Sequence, residues 1–126
     1  MAQLGDSSAS LVLPLDASLS SLVIGPVRSY LRLYPLARAT SAFILESVEK
    51  ASRRLLRKPL ARSGRLRLTL KSKQGQVQVA LSVSATPRGA RLASLTRGAP
   101  PLLQARYRAG RRGGTLTFVS LPTRGV

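Results

Sequence analysis

The stretch RLRLTLKSKQGQVQVALSVS, residues 65–84, decides the fold class. Leu66, Leu68 and Leu70 alternate with Arg65, Arg67, Thr69 and Lys71. After Gln74-Gly75 the alternation resumes, with Val77, Val79, Leu81 and Val83 set against Gln76, Gln78, Ala80 and Ser82. Successive side chains of a strand point to opposite faces, so each run has one apolar and one polar face. Two such runs meeting at a glycine read as a β-hairpin over 64–84, and its apolar face needs a cover.

The cover lies upstream. Leu36, Thr40, Phe43, Ile44, Val48, Ala51 and Leu55 recur at the three- and four-residue steps of one helical stripe, which predicts a helix over about 36–57. Glu46 with Lys50 and Glu49 with Arg53 stand four apart, a favourable spacing for ion pairs. Arg53, Arg54, Arg57 and Lys58 crowd the end of the helix, where its dipole welcomes cations, and Pro59 stops it. Downstream, Leu103, Ala105 and Tyr107 alternate with Gln104, Arg106 and Arg108. A turn at Gly110-Arg111-Arg112-Gly113-Gly114 and the β-rich run Thr115–Leu121 complete a second hairpin over 102–121. Ala90–Arg97 suits one or two helical turns. Near the start, Leu11–Leu15 and Leu22–Val27 are apolar runs broken by Pro14 and by Gly25-Pro26, and they suit short edge strands. Tyr30–Tyr34 either extends the second run or begins a helix. A helical stripe and a sheet face that cover each other make a two-layer α+β sandwich, with one long helix on a mostly antiparallel sheet. Residues 1–10 read as a flexible lead-in, 11–122 as a single α+β domain and 123–126 as a tail.

Composition narrows the chemistry. The 126 residues include no His and no Cys, so an imidazole base, a thiolate nucleophile, a disulfide framework and the usual zinc sites are excluded. Glu46 and Glu49 have basic partners within the helix, and no Walker-type phosphate loop is present. The reading is of a protein that is not an enzyme, with no catalytic residues, no metal ligands and no cofactor. Hydrophobic residues make up 44% of the chain, enough for a core, yet aromatics are only 4%, so that core is aliphatic. Leu, Arg and Ser dominate, a codon bias that fits a GC-rich genome or an overprinted reading frame.

The formal charge is +17. No Lys or Arg precedes Arg28, so the basic residues crowd the remainder of the chain. Arginine outnumbers lysine, and its planar fork suits bidentate contact with phosphate or carboxylate. If Leu66, Leu68 and Leu70 point into the core, Arg65, Arg67, Lys71 and Lys73 point out, and Arg106 and Arg108 do the same in the second hairpin. Should the two hairpins share a sheet, six cations lie on its open face, with Arg111 and Arg112 at the rim. A face that merely solubilises the protein usually mixes signs, and this one holds no acid. The helix-end residues Arg53, Arg54, Arg57, Lys58 and Arg62 form a second patch, with helix capping as their plainer role. The expected partner is the backbone of RNA or DNA, contacted without sequence readout, because aromatic residues for base stacking are scarce. An acidic protein surface is the alternative partner. Gly110-x-x-Gly113 matches the GXXG of a KH loop, but it falls between strands rather than helices.

The order of elements resembles the ATP-binding domain of histidine kinases and their relatives, the GHKL superfamily. Phe43–Leu56 is similar to that family's long helix, Leu66–Val83 to its hairpin, and Leu103–Pro122, with Gly114-Thr115 and Leu121-Pro122, to its closing strands. The resemblance implies the kinase-type fold. It also implies a degenerate site, because Glu49-Lys50-Ala51 stands where the family carries a metal-binding Asn, and Ser84-Ala85-Thr86-Pro87-Arg88-Gly89 lacks the Asp that reads adenine. The expected function is therefore a non-catalytic basic protein contacting nucleic-acid backbone, for instance within a virion or another nucleoprotein assembly. The alternatives are a protein–protein adaptor or structural subunit on a degenerate kinase-type fold, and an overprinted viral accessory protein binding anionic lipid. No signal or transit segment stands out, and the apolar runs are too short to cross a bilayer, so the expected setting is cytoplasmic or intravirion rather than secreted. The sequence is compatible with a homo-oligomer.

Overall fold

The alternation in residues 65–84 becomes a hairpin. A computed structural model describes residues 7–14, 21–34, 36–55, 65–73, 76–83, 92–110 and 113–120. In it β2 (Arg65–Lys73) pairs antiparallel with β3 (Gln76–Val83), with Leu68 opposite Leu81 and Leu70 opposite Val79. Those four side chains are buried, and each removes apolar surface worth about 1.5–3 kcal/mol from water. The second hairpin joins β4 (Leu103–Ala109) to β5 (Gly114–Ser120). β5 then pairs with β3, placing Phe118 beside Val79. With β1 (Ser7–Pro14) on the far side of β2, the sheet has five strands in the order β1-β2-β3-β5-β4, all neighbours antiparallel.

Two helices cover one face: α1 (Ser21–Leu31) and α2 (Arg38–Leu55). The stripe read from sequence is the one that packs. Ile44, Val48 and Ala51 have no exposed surface, Thr40 is buried, and Phe43 meets Phe118 edge-on at 6.2 Å between centroids. Ser52 answers its burial by donating to the Val48 carbonyl at 2.8 Å, so the stripe tolerates a hydroxyl inside it. Val23, Val27 and Leu31 of α1 join the same core as Leu66, Leu68, Val77, Leu116 and Phe118. The result is the two-layer α+β sandwich expected, with two helices on the sheet rather than one.

Two expectations need correcting. Leu22–Val27 is not a strand: it lies within α1, which carries Pro26 inside it. The proline removes the donor that would meet the carbonyl four residues back, on Leu22. Leu22 and Pro26 both lie on the exposed side, where water can serve that carbonyl, while Val23 and Val27 are fully buried one step away. Ser7–Ser10, read as part of the lead-in, belong to β1, where Ser7 pairs with Ser72 and Ser10 with Thr69. Within Ala90–Arg97, where one or two helical turns were expected, a single 3-10 turn forms over Ala93–Thr96. Among the described residues, no helix is long and apolar enough to cross a membrane.

Candidate anion-binding face of the sheet

Residues paired directly across neighbouring strands share a face, so the register assigns the open face without ambiguity. Arg67, Ser82, Thr115 and Arg108 are successive partners and form one row across the sheet. Thr69, Ala80, Thr117 and Arg106 form the next row, and Lys71, Gln78, Val119 and Gln104 the third. Arg65 precedes these rows on β2, and Lys73, opposite Gln76, follows them. The helices take the other face, where Leu66, Leu68, Leu70, Val79, Leu81, Leu116 and Phe118 are buried.

All six cations expected on the open face are there. Arg65, Arg67, Lys71, Lys73, Arg106 and Arg108 are all exposed. Neighbours on one face of a strand stand about 6.6 Å apart, where two unit charges in water repel by about 0.6 kcal/mol. That repulsion is small beside the burial of the leucines between them, so the sheet can carry the row unaided. Among the described residues the carboxylates are Glu46 and Glu49, both on α2 in the opposite layer. Each is engaged within its helix, Glu46 by Lys50 at 2.9 Å and Glu49 by Arg53. Among the described residues, therefore, no carboxylate stands on the open face to offset its cations.

The cations are not side by side. β3 and β5 stand between β2 and β4, because β5 rather than β4 pairs with β3. The face has two cationic walls: Arg65, Arg67, Lys71 and Lys73 on one side, Arg106 and Arg108 on the other. At about 4.8 Å per strand spacing, the walls stand about 14 Å apart at their backbones. The floor between them is made of short side chains, Ala80, Ser82, Thr115, Thr117 and Val119, with Gln78. Ser82 and Thr115 share a hydroxyl–hydroxyl hydrogen bond of 3.0 Å that fixes their orientation across the strands. Against the β4 wall this relief leaves an open depression of about 310 Å³, lined by Gln104, Arg106, Arg108, Thr115, Thr117 and Val119. The hydroxyl floor was not singled out from sequence, although the alternation that sends Arg106 and Arg108 outward sends Thr115 and Thr117 to the same face.

The helix-end residues are separate from this face. Arg53 is held by Glu49, and Arg54 donates to Ser94 Oγ at 3.2 Å, tying the 3-10 turn to α2. Their patch belongs to the helix layer. Arg57, Lys58, Arg62, Arg111 and Arg112 lie outside the described residues. Tyr107 faces the core side, as its alternation with Arg106 and Arg108 requires, and so offers no stacking platform on the open face.

No protein-family model matches the chain, and no curated protein matches it in sequence. Among solved structures, the chain is similar to the crystal structure of the RsbU and RsbW domains of Rv1364c from Mycobacterium tuberculosis, with a TM-score of 0.68 and 17% sequence identity. The match covers 94% of this chain and 34% of that one, so this chain spans about a third of the solved protein's length. At that identity the likeness concerns the fold alone.

Proposed function

We propose that this chain is a non-catalytic binding domain whose open sheet face takes the phosphate backbone of nucleic acid without reading its sequence. One observation carries the reading: six exposed cations share a face on which, among the described residues, no carboxylate stands. Two walls of positive charge over a neutral hydroxyl floor favour a polyanion. The low aromatic content argues against base recognition by stacking. Four of the six are arginines, whose forked donors match phosphate oxygens in pairs. Binding through so many phosphate contacts weakens steeply as salt rises, because each contact releases condensed counterions.

The absence of catalysis in this reading is supported by the sequence, which has neither His nor Cys, and by the engagement of Glu46 and Glu49 with Lys50 and Arg53. The fold likeness favours a second reading, an adaptor built on a kinase-type scaffold that docks on an acidic protein. The test is reversal of Arg65, Arg67, Arg106 and Arg108 to Glu in the whole chain. The expected result is loss of retention on a heparin column, and loss of a nuclease-sensitive 260 nm absorbance from the purified protein, with an unchanged circular dichroism spectrum. Unchanged retention at moderate salt would defeat the nucleic-acid reading, and a stoichiometric acidic protein in place of nucleic acid would establish the adaptor.

A further inference from the structure

We infer that the two-walled face takes a double-stranded nucleic acid, each wall engaging one of the two backbones that flank a groove, in preference to a single strand. This rests on the nucleic-acid reading above and adds the form of the ligand.

The first support is spacing. The walls stand about 14 Å apart at the backbone, and an arginine side chain reaches about half that distance, so the gap between charged tips is adjustable over several ångströms. The two backbones of a duplex are separated across its grooves by about 6 and about 12 Å, within that range. A single strand has one line of phosphates and can follow only one wall at a time.

The second support is what the floor lacks. All five aromatic side chains lie on the helix side or in the core: Tyr30 and Tyr34 meet at a tilt with ring centroids 5.2 Å apart, Phe43 meets Phe118, and Tyr107 packs against the core. An unpaired base over Ala80, Ser82, Thr115, Thr117 or Val119 finds no ring to stack on, whereas a duplex keeps its bases stacked within itself. Proteins that bind single strands add about 1–3 kcal/mol per stacked base, a contribution this face cannot make.

The third support is charge density. A duplex carries about one charge per 1.7 Å of axis, and its counterion release per contact exceeds that of a single strand. A surface that binds through cations alone therefore gains more from the duplex.

The experiment compares a labelled duplex of about 20 base pairs, one of its strands alone, and polyglutamate, by fluorescence anisotropy between about 50 and 200 mM salt. The expected duplex affinity exceeds that of the single strand at least tenfold at about 0.1 M salt. Six contacts give a log–log salt slope of about −5 for the duplex, and the four of one wall give about −3 for the single strand. Removal of either wall, by R106E/R108E or by R65E/R67E/K71E/K73E, lowers the duplex to single-strand affinity; the R106Q/R108Q and R65Q/R67Q/K71Q/K73Q variants serve if a reversal alters the circular dichroism spectrum. Equal affinity for both forms, or a duplex preference that survives loss of either wall, overturns this inference and leaves the nucleic-acid reading standing. If neither form binds at low salt, or polyglutamate binds as tightly as the duplex, the nucleic-acid reading itself falls.

Discussion

Replacing Gly114 with Ala tests how β4 is held in place. A methyl group built on Gly114 would come within 2.8 Å of Tyr107 Cζ and 2.9 Å of Cε1, closer than carbon atoms tolerate. The Tyr107 ring fills the space a side chain at 114 would need, diagonally across the β4–β5 pair. Gly114 is not at positive φ; among the described glycines that conformation belongs to Gly98. Backbone strain is thus excluded, and the cost is steric. Crowding of this kind costs about 1–3 kcal/mol. With a urea m-value of about 2 kcal/mol/M, a loss of about 2 kcal/mol moves the unfolding midpoint down by about 1 M. The decisive measurement is the double-mutant cycle with Tyr107→Ala, followed by far-ultraviolet circular dichroism in urea. Once the ring is gone, Gly114→Ala should change sign and stabilise by about 0.4–1 kcal/mol, because alanine restricts the unfolded chain more than glycine does. Equal destabilisation in both backgrounds would refute the proposed contact. The proposed binding face is coupled to this pair, since Tyr107 turned inward sends Arg106 and Arg108, its neighbours on either side, to the open face.

Two further substitutions probe the core beneath the face, both read by chemical denaturation. Phe118→Ala removes a fully buried ring and its edge contact with Phe43, and should cost about 3–5 kcal/mol; a loss under about 1 kcal/mol would contradict the packing described. Ser120→Ala leaves the Val77 N–H, which donates to Ser120 Oγ at 3.1 Å, without that acceptor, and the Val77 carbonyl without the 3.2 Å bond it accepts. Burial at that position makes the expected cost about 1–3 kcal/mol, against almost none if water can enter.

The two hairpins and the amphipathic helix were legible because their side-chain periods are long and clean: nine and eight residues of alternation in β2 and β3, and a stripe running through α2. The open-face cations followed from the same alternation. α1 was not legible because Leu22, Val23, Ile24 and Val27 are apolar on every side of a short run, and a short apolar run fits strand and helix equally. Gly25-Pro26 then pointed the wrong way, since a proline on the exposed side of a helix is tolerated when the buried side pays for it. Strand order was beyond reach for a different reason. Alternation says which residues share a face, but nothing local tells β5 rather than β4 to lie against β3. The separation of the walls, and with it the shape of the site, follows from that one long-range choice.

The edge position of β1 also bears on how the molecule is made. Its partner β2 is synthesised only after both helices, with Pro14 meeting Arg65 and Ser7 meeting Ser72. During translation the first strand therefore emerges early and must wait for its ladder. Of the two edge strands it is also the one without a charged residue to discourage premature association, since β4 carries Arg106 and Arg108. Closing so large a loop is slow, and nascent chains would be most vulnerable to misassembly in the interval before the first hairpin leaves the ribosome.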